Sequence, residues 1–131
     1  MPQVQSEPSQ TSLAVPEMVY PYRAGVIGGA LGGLAMIVVA GLYGLLSGAG
    51  LWLPVNLIGA TLVRSLQGLS LAQLGQFNLE ALIVGLVLHT FLALMLGLIF
   101  AALLPTLPGS PVFWSIVIGP LLWTIVSVMI L

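Results

Sequence analysis

Between Arg23 and Leu131 the chain carries only two formal charges, Arg64 and Glu80, together with one histidine, His89. That scarcity decides the solvent. A soluble domain clothes its surface in charged groups, typically about a quarter of its residues, whereas here 60% of residues are apolar and 4% are charged. The apolar runs are also long enough to cross a hydrocarbon core of about 30 Å, which needs roughly 20 residues of helix. The expected fold is therefore all-α and integral to a membrane, with three transmembrane helices and one amphipathic helix lying in the interface.

The first span is expected over about residues 24–46, entered at Tyr22 and Arg23, where an amphipathic ring and a cation suit the headgroup level. Pro54 then interrupts the helix, because it lacks a donor and clashes with the preceding turn, and it favours the first turn of a new one. From there the polar or small positions Asn56, Ala60, Arg64 and Gln67 recur at helical spacing opposite Leu57, Ile58, Thr61, Leu62 and Leu66. This pattern predicts an interfacial amphipathic helix over about residues 54–67, with a re-entrant dip of residues 51–63 as the competing reading. The second span is expected over about residues 79–104 and the third over about 111–131, separated by Pro105, Pro108 and Gly109. Gly119-Pro120 predicts a kink in the third. Ahead of all this, residues 1–22 form a polar, proline-punctuated segment that buries too little apolar area to offset its ordering entropy, and are expected to be a flexible tail. The membrane domain is then 23–131. The tail does not read as a signal peptide, since a positive n-region followed by an early apolar stretch is missing.

Two rows of small residues stand out. In the first span Gly25, Gly29 and Gly33 repeat every fourth position, with Gly28 and Gly32 on the adjoining row. In the second, Ala81, Gly85, His89, Ala93, Gly97 and Ala101 do the same. In lipid, where apolar surface gains nothing by leaving the solvent, such rows let two helix backbones approach closely. The partner of the first row is either another subunit or this chain's own second or third span.

His89 falls near mid-membrane, inside the second row, and an ionisable group at that depth is a functional candidate. Three roles are open to it. It could ligate a haem or chlorophyll-type ring, with Gly85 one turn earlier leaving room for the macrocycle; the small-residue-then-His pair resembles that of light-harvesting polypeptides. It could relay protons, although Glu80, nine residues away, lies about 13 Å along the helix and on another face. Or it could be a neutral ring donating one hydrogen bond to a facing helix. Glu80 itself suits the start of its helix, where a carboxylate complements the N-terminal dipole. Trp52, Asn56 and Arg64 are expected to contact lipid or its headgroups.

Several classes fall away. With no cysteine there is no disulfide or thiolate chemistry, and two basic residues cannot form a nucleic-acid footprint. No catalytic set or phosphate-binding loop is recognisable, because the glycines of residues 28–33 lie within a span. The residues imply neither a metal site nor a resident cofactor beyond the His89 possibility.

The order of a glycine-rich first span, the segment Leu-Trp-Leu-Pro-Val-Asn-Leu, and a span bearing one histidine resembles small bacterial polytopic membrane proteins of uncharacterised activity. The resemblance implies a helical membrane fold and assigns no functional residue. The expectation is a multi-pass protein of the bacterial inner (cytoplasmic) membrane, an enzymatically inactive accessory subunit of a larger complex, of which respiratory or photosynthetic electron-transfer complexes are the class in view. Its partners would be lipids and other integral membrane subunits. The alternative is a small homo-oligomeric transporter or channel with His89 and Asn56 along its path. Basic residues fall one on each side of a three-span chain, so orientation rests on Arg23, which abuts a span and favours a cytoplasmic N-terminus.

Overall fold

The computed structural model describes residues 20–130, apart from the side chains of Val126, Ser127 and Ile130. Helix α1 runs Tyr22–Leu46, α2 Leu53–Ala60, α3 Leu71–Leu74, α4 Leu79–Leu103 and α5 Pro111–Ile130. Among the described residues there is no strand. The expected tail lies outside the described residues up to position 19, and Tyr22 already belongs to α1. Residue 131, the expected end of the third span, is outside them too.

Two helices are long and apolar enough to cross a membrane, Tyr22–Leu46 and Leu79–Thr106, with mean hydropathies of 2.1 and 2.5. At 25 residues each, α1 and α4 measure about 37 Å. Only 11% of the apolar window of each is buried inside the protein, far less than in the core helix of a soluble domain. The apolar stretch of α5, Pro111–Ile125, is shorter. Helix α5 continues through Gly119-Pro120, and the Thr124 hydroxyl donates to the Pro120 carbonyl at 2.8 Å.

The helix boundaries have local causes. Asn78 caps α4, its side chain accepting from the Ala81 amide at 2.9 Å, which satisfies one of the amides left free at a helix start. Ser70 and Gln73 form a reciprocal capping box around α3. Between α4 and α5 the chain turns through a short 3-10 segment, Leu104–Thr106, and the Trp114 indole donates to the Pro108 carbonyl at 2.7 Å. Gly50 carries the turn from α1 to α2 with φ +101°, and a Cβ there would lie 2.8 Å from the Gly75 carbonyl oxygen; no other residue fits both demands.

The amphipathic helix expected over about 54–67 is not one helix. It stops at Ala60 and is followed by a 3-10 turn, Arg64–Leu66. Side chains take over the carbonyls that would have continued it: the Thr61 hydroxyl donates to Ile58 at 2.7 Å and the Gln67 amide to Ala60 at 3.0 Å. The four polar or small positions 56, 60, 64 and 67 therefore never form a single face. Instead α2 packs along the first turns of α4, where Gly59 meets the backbone of Ala81 and Gly85 meets that of Val55. A small apolar core of Leu53, Val63, Leu66, Leu74 and Ala81 closes this end.

Candidate functional site

The row of small residues on α4 is divided between two partners. Its first members, Ala81 and Gly85, face α2, and its later members, from His89 to Ala101, face α1. The glycine row of α1 is divided as well. Gly25, Gly29 and Gly33 are buried against α4. A Cβ at Gly25 would sit 2.6 Å from the Gly97 carbonyl oxygen, and one at Gly29 2.6 Å from that of Ala93. The two antiparallel backbones are thus in direct contact, and this row's packing is internal to the chain. Gly28 and Gly32 are exposed, and a Cβ at either position would have no heavy atom within 4 Å.

His89 is 6% exposed, and its Nε2 lies 3.0 Å from the Gly33 carbonyl oxygen. A carbonyl only accepts, so the proton must be on Nε2, and the neutral ring then has a bare acceptor at Nδ1. That atom is buried with no hydrogen-bond partner. Gly33 makes the bond possible by exposing its carbonyl, since a side chain there would run into the Ala93 Cβ at 2.8 Å. On the far side Trp123 of α5 meets the imidazole edge to face, centroids 6.3 Å apart.

This geometry is that of the third role, a ring tying α4 to α1. For axial ligation of a haem or chlorophyll ring through Nε2 the Gly33 bond would have to break. The room expected at Gly85 is taken by Val55, whose Cγ2 would lie 2.8 Å from a Cβ there.

Asn56 is not a lipid or headgroup contact: it is 1% exposed. Its Nδ2 donates to the carbonyls of Leu74 and Gln76, at 2.6 and 2.7 Å. The carbonyls of Leu74, the last residue of α3, and Gln76, just beyond it, lie past the final backbone donors of that short helix, and the one side-chain amide of α2 turns inward to meet them. Its Oδ1 is buried without a partner. Trp52 is half-buried and packs edge to face on Phe77 at 5.0 Å. Arg64 and Glu80 are both exposed.

Two cavities flank His89. The larger, about 650 Å³, is a partly open groove between α1, α4 and α5, bordered by Gly28, Gly32 and Gly119. The smaller, about 200 Å³, lies beside α2. Met36, His89 and Trp123 line both, and so form the partition between them. The sequence singles out His89, but nothing in the spacing signals that Met36 and Trp123 join it. Among the described residues, no three of His, Cys, Asp and Glu are grouped so as to hold a metal ion.

No protein-family model matches the chain, and neither the curated proteins nor the solved structures contain a match to it.

Proposed function

We propose that the chain is a multi-pass protein of the bacterial cytoplasmic membrane, with α1, α4 and α5 all crossing the bilayer, and that it serves as a non-catalytic accessory subunit of a larger membrane complex. The observation that carries this reading is the apolar perimeter. Ile27, Leu31, Leu34 and Val38 on α1, and Ile83, Val87 and Phe91 on α4, are all exposed. In water so continuous an apolar surface would drive association. In a bilayer it is solvated by lipid or covered by other helices.

The polar interior supports the non-catalytic half of the reading. The two polar side chains buried among the described residues, Asn56 and His89, both donate to backbone carbonyls of another segment, which is structural work. The respiratory or photosynthetic electron-transfer class is the narrower form of the proposal, and in it the redox groups belong to the partner subunits.

Purification from native membranes in mild detergent tests it. Larger subunits retained in fixed ratio through two chromatographic steps are the expected result. Recovery alone or as a homo-oligomer would overturn the subunit reading in favour of the transporter alternative.

A further inference from the structure

The groove between α1, α4 and α5 has a polar end. From Pro21 to Met36 it follows α1 for roughly 22 Å, at 1.5 Å per residue. Its volume of about 650 Å³ falls within the roughly 300–1,000 Å³ of small-molecule sites. Divided by that length it has a cross-section of roughly 30 Å², enough for one hydrocarbon chain. The groove opens outward along Gly28 and Gly32, where the absence of side chains leaves the α1 backbone as its floor. At its inner end stands His89, 6% exposed, with Nδ1 buried and unpartnered. With Nε2–H committed to the Gly33 carbonyl, Nδ1 of the neutral imidazole can only accept. What it lacks is a donor, and hydrocarbon supplies none.

We infer that this groove binds a single-chain apolar alcohol, an isoprenoid or long-chain alcohol, whose hydroxyl donates to His89 Nδ1 while its chain lies along the glycine floor. The alcohol enters sideways from the lipid phase over Gly28 and Gly32. Its hydroxyl reaches Nδ1 as the Trp123 indole, which stands edge to face against the imidazole and borders both cavities, swings aside. A hydroxyl in a bilayer interior is costly unless paired, and an acceptor buried there is costly in the same way, so each relieves the other. The inference does not depend on the subunit reading, since it concerns the isolated chain.

His89 is the chain's only histidine, so uniform ¹⁵N-histidine labelling reports on this ring alone. The full chain in phosphatidylcholine nanodiscs, whose lipid carries no hydroxyl donor, is titrated with farnesol, with farnesyl methyl ether and with dioleoylglycerol. Farnesol is expected to move the Nδ1 resonance upfield, saturating at one equivalent, with the ether and the two-chain alcohol at least tenfold weaker. Filling the groove with Gly28→Leu plus Gly32→Leu is expected to weaken farnesol at least tenfold, with the helical circular dichroism unchanged. A motionless Nδ1 resonance, an equal shift from the ether, or farnesol affinity unaffected by the leucine pair would each overturn the site. An equal shift from dioleoylglycerol overturns the single-chain assignment. Should the leucine pair fail to fold, the alcohol-against-ether comparison on the unsubstituted chain decides alone.

Discussion

Adjacent glycines of α1 should respond to the same substitution with opposite sign. At Gly29 an alanine Cβ would lie 2.6 Å from the Ala93 carbonyl oxygen and 3.2 Å from the Leu94 Cα. Ordinary contact begins at 3.4 Å, so the first of these is short by roughly 0.8 Å in an interior packed to crystal density. Both obstructing atoms are backbone and cannot rotate away, so α1 and α4 must separate. Overpacking of this kind costs about 1–3 kcal/mol. The separation also stretches the His89–Gly33 bond, now 3.0 Å, and buried hydrogen bonds between membrane helices average about 0.6 kcal/mol and reach about 1.7. Gly29→Ala should therefore cost about 2–4 kcal/mol. At Gly28 a Cβ meets nothing within 4 Å, and alanine exceeds glycine in helix propensity by up to about 1 kcal/mol, less where the unfolded state in lipid stays helical. Gly28→Ala should be neutral to slightly stabilising. The gap of at least about 2 kcal/mol corresponds to roughly 30-fold in the unfolding equilibrium, measurable by reversible SDS unfolding in mixed micelles followed by circular dichroism. Equal effects at the two sites, or a larger loss at Gly28, would refute the assignment of the inner row to the α1–α4 contact.

Asn56→Leu removes both donors from the Leu74 and Gln76 carbonyls and should destabilise by about 1–3 kcal/mol for each acceptor left buried and unpaired; faster proteolysis within residues 70–78 is the direct readout, and unchanged proteolysis would argue against the clamp. His89→Leu should lose roughly 0.6–1.7 kcal/mol in the same SDS assay, with His89→Gln recovering part of it through its side-chain N–H; a leucine variant as stable as the parent would mean the Gly33 bond contributes nothing. The chain has no cysteine, so single-site labelling reads topology cleanly: with three spans, Ser110→Cys and Ala72→Cys should label from opposite sides of the membrane, Ser110→Cys from the cytoplasmic one. Labelling of both from one side would remove the three-span arrangement.

The helix limits were legible because they depend on length and local chemistry. An apolar run bounded by Arg23 and by the Gly48–Gly50 turn, another opened by the Asn78 cap and closed by Pro105, and a third begun at Pro111 declare their ends within a few residues. The segment between them was not legible. The spacing of Asn56, Ala60, Arg64 and Gln67 is that of an amphipathic helix, and what defeats it is tertiary: α3 presents unpaired carbonyls to Asn56, while Thr61 and Gln67 capture carbonyls of α2. The glycine rows were legible as close-packing surfaces but not as a choice between rows. In the sequence Gly25-Gly29-Gly33 and Gly28-Gly32 are nearly equivalent. Only the matching small residues on α4, ending in a histidine that needs an exposed carbonyl, select the first.

Asn56 and His89 pose the same physical problem and differ in how it can be solved. Each donates N–H groups to carbonyls of another segment, and each is left with one buried acceptor, Oδ1 or Nδ1, that nothing in the protein meets. An amide or imidazole chosen for its donor brings its acceptor along, and away from water that acceptor stays unpaid for by solvent. At Asn56 the cost goes with pinning the α3 loop, and the side chain borders neither of the two cavities that flank His89. At His89 the orphaned nitrogen belongs to a ring that borders both. That leftover accepting nitrogen, on a ring placed where two cavities meet, is the difference on which the proposed site for a hydroxyl-bearing apolar ligand rests.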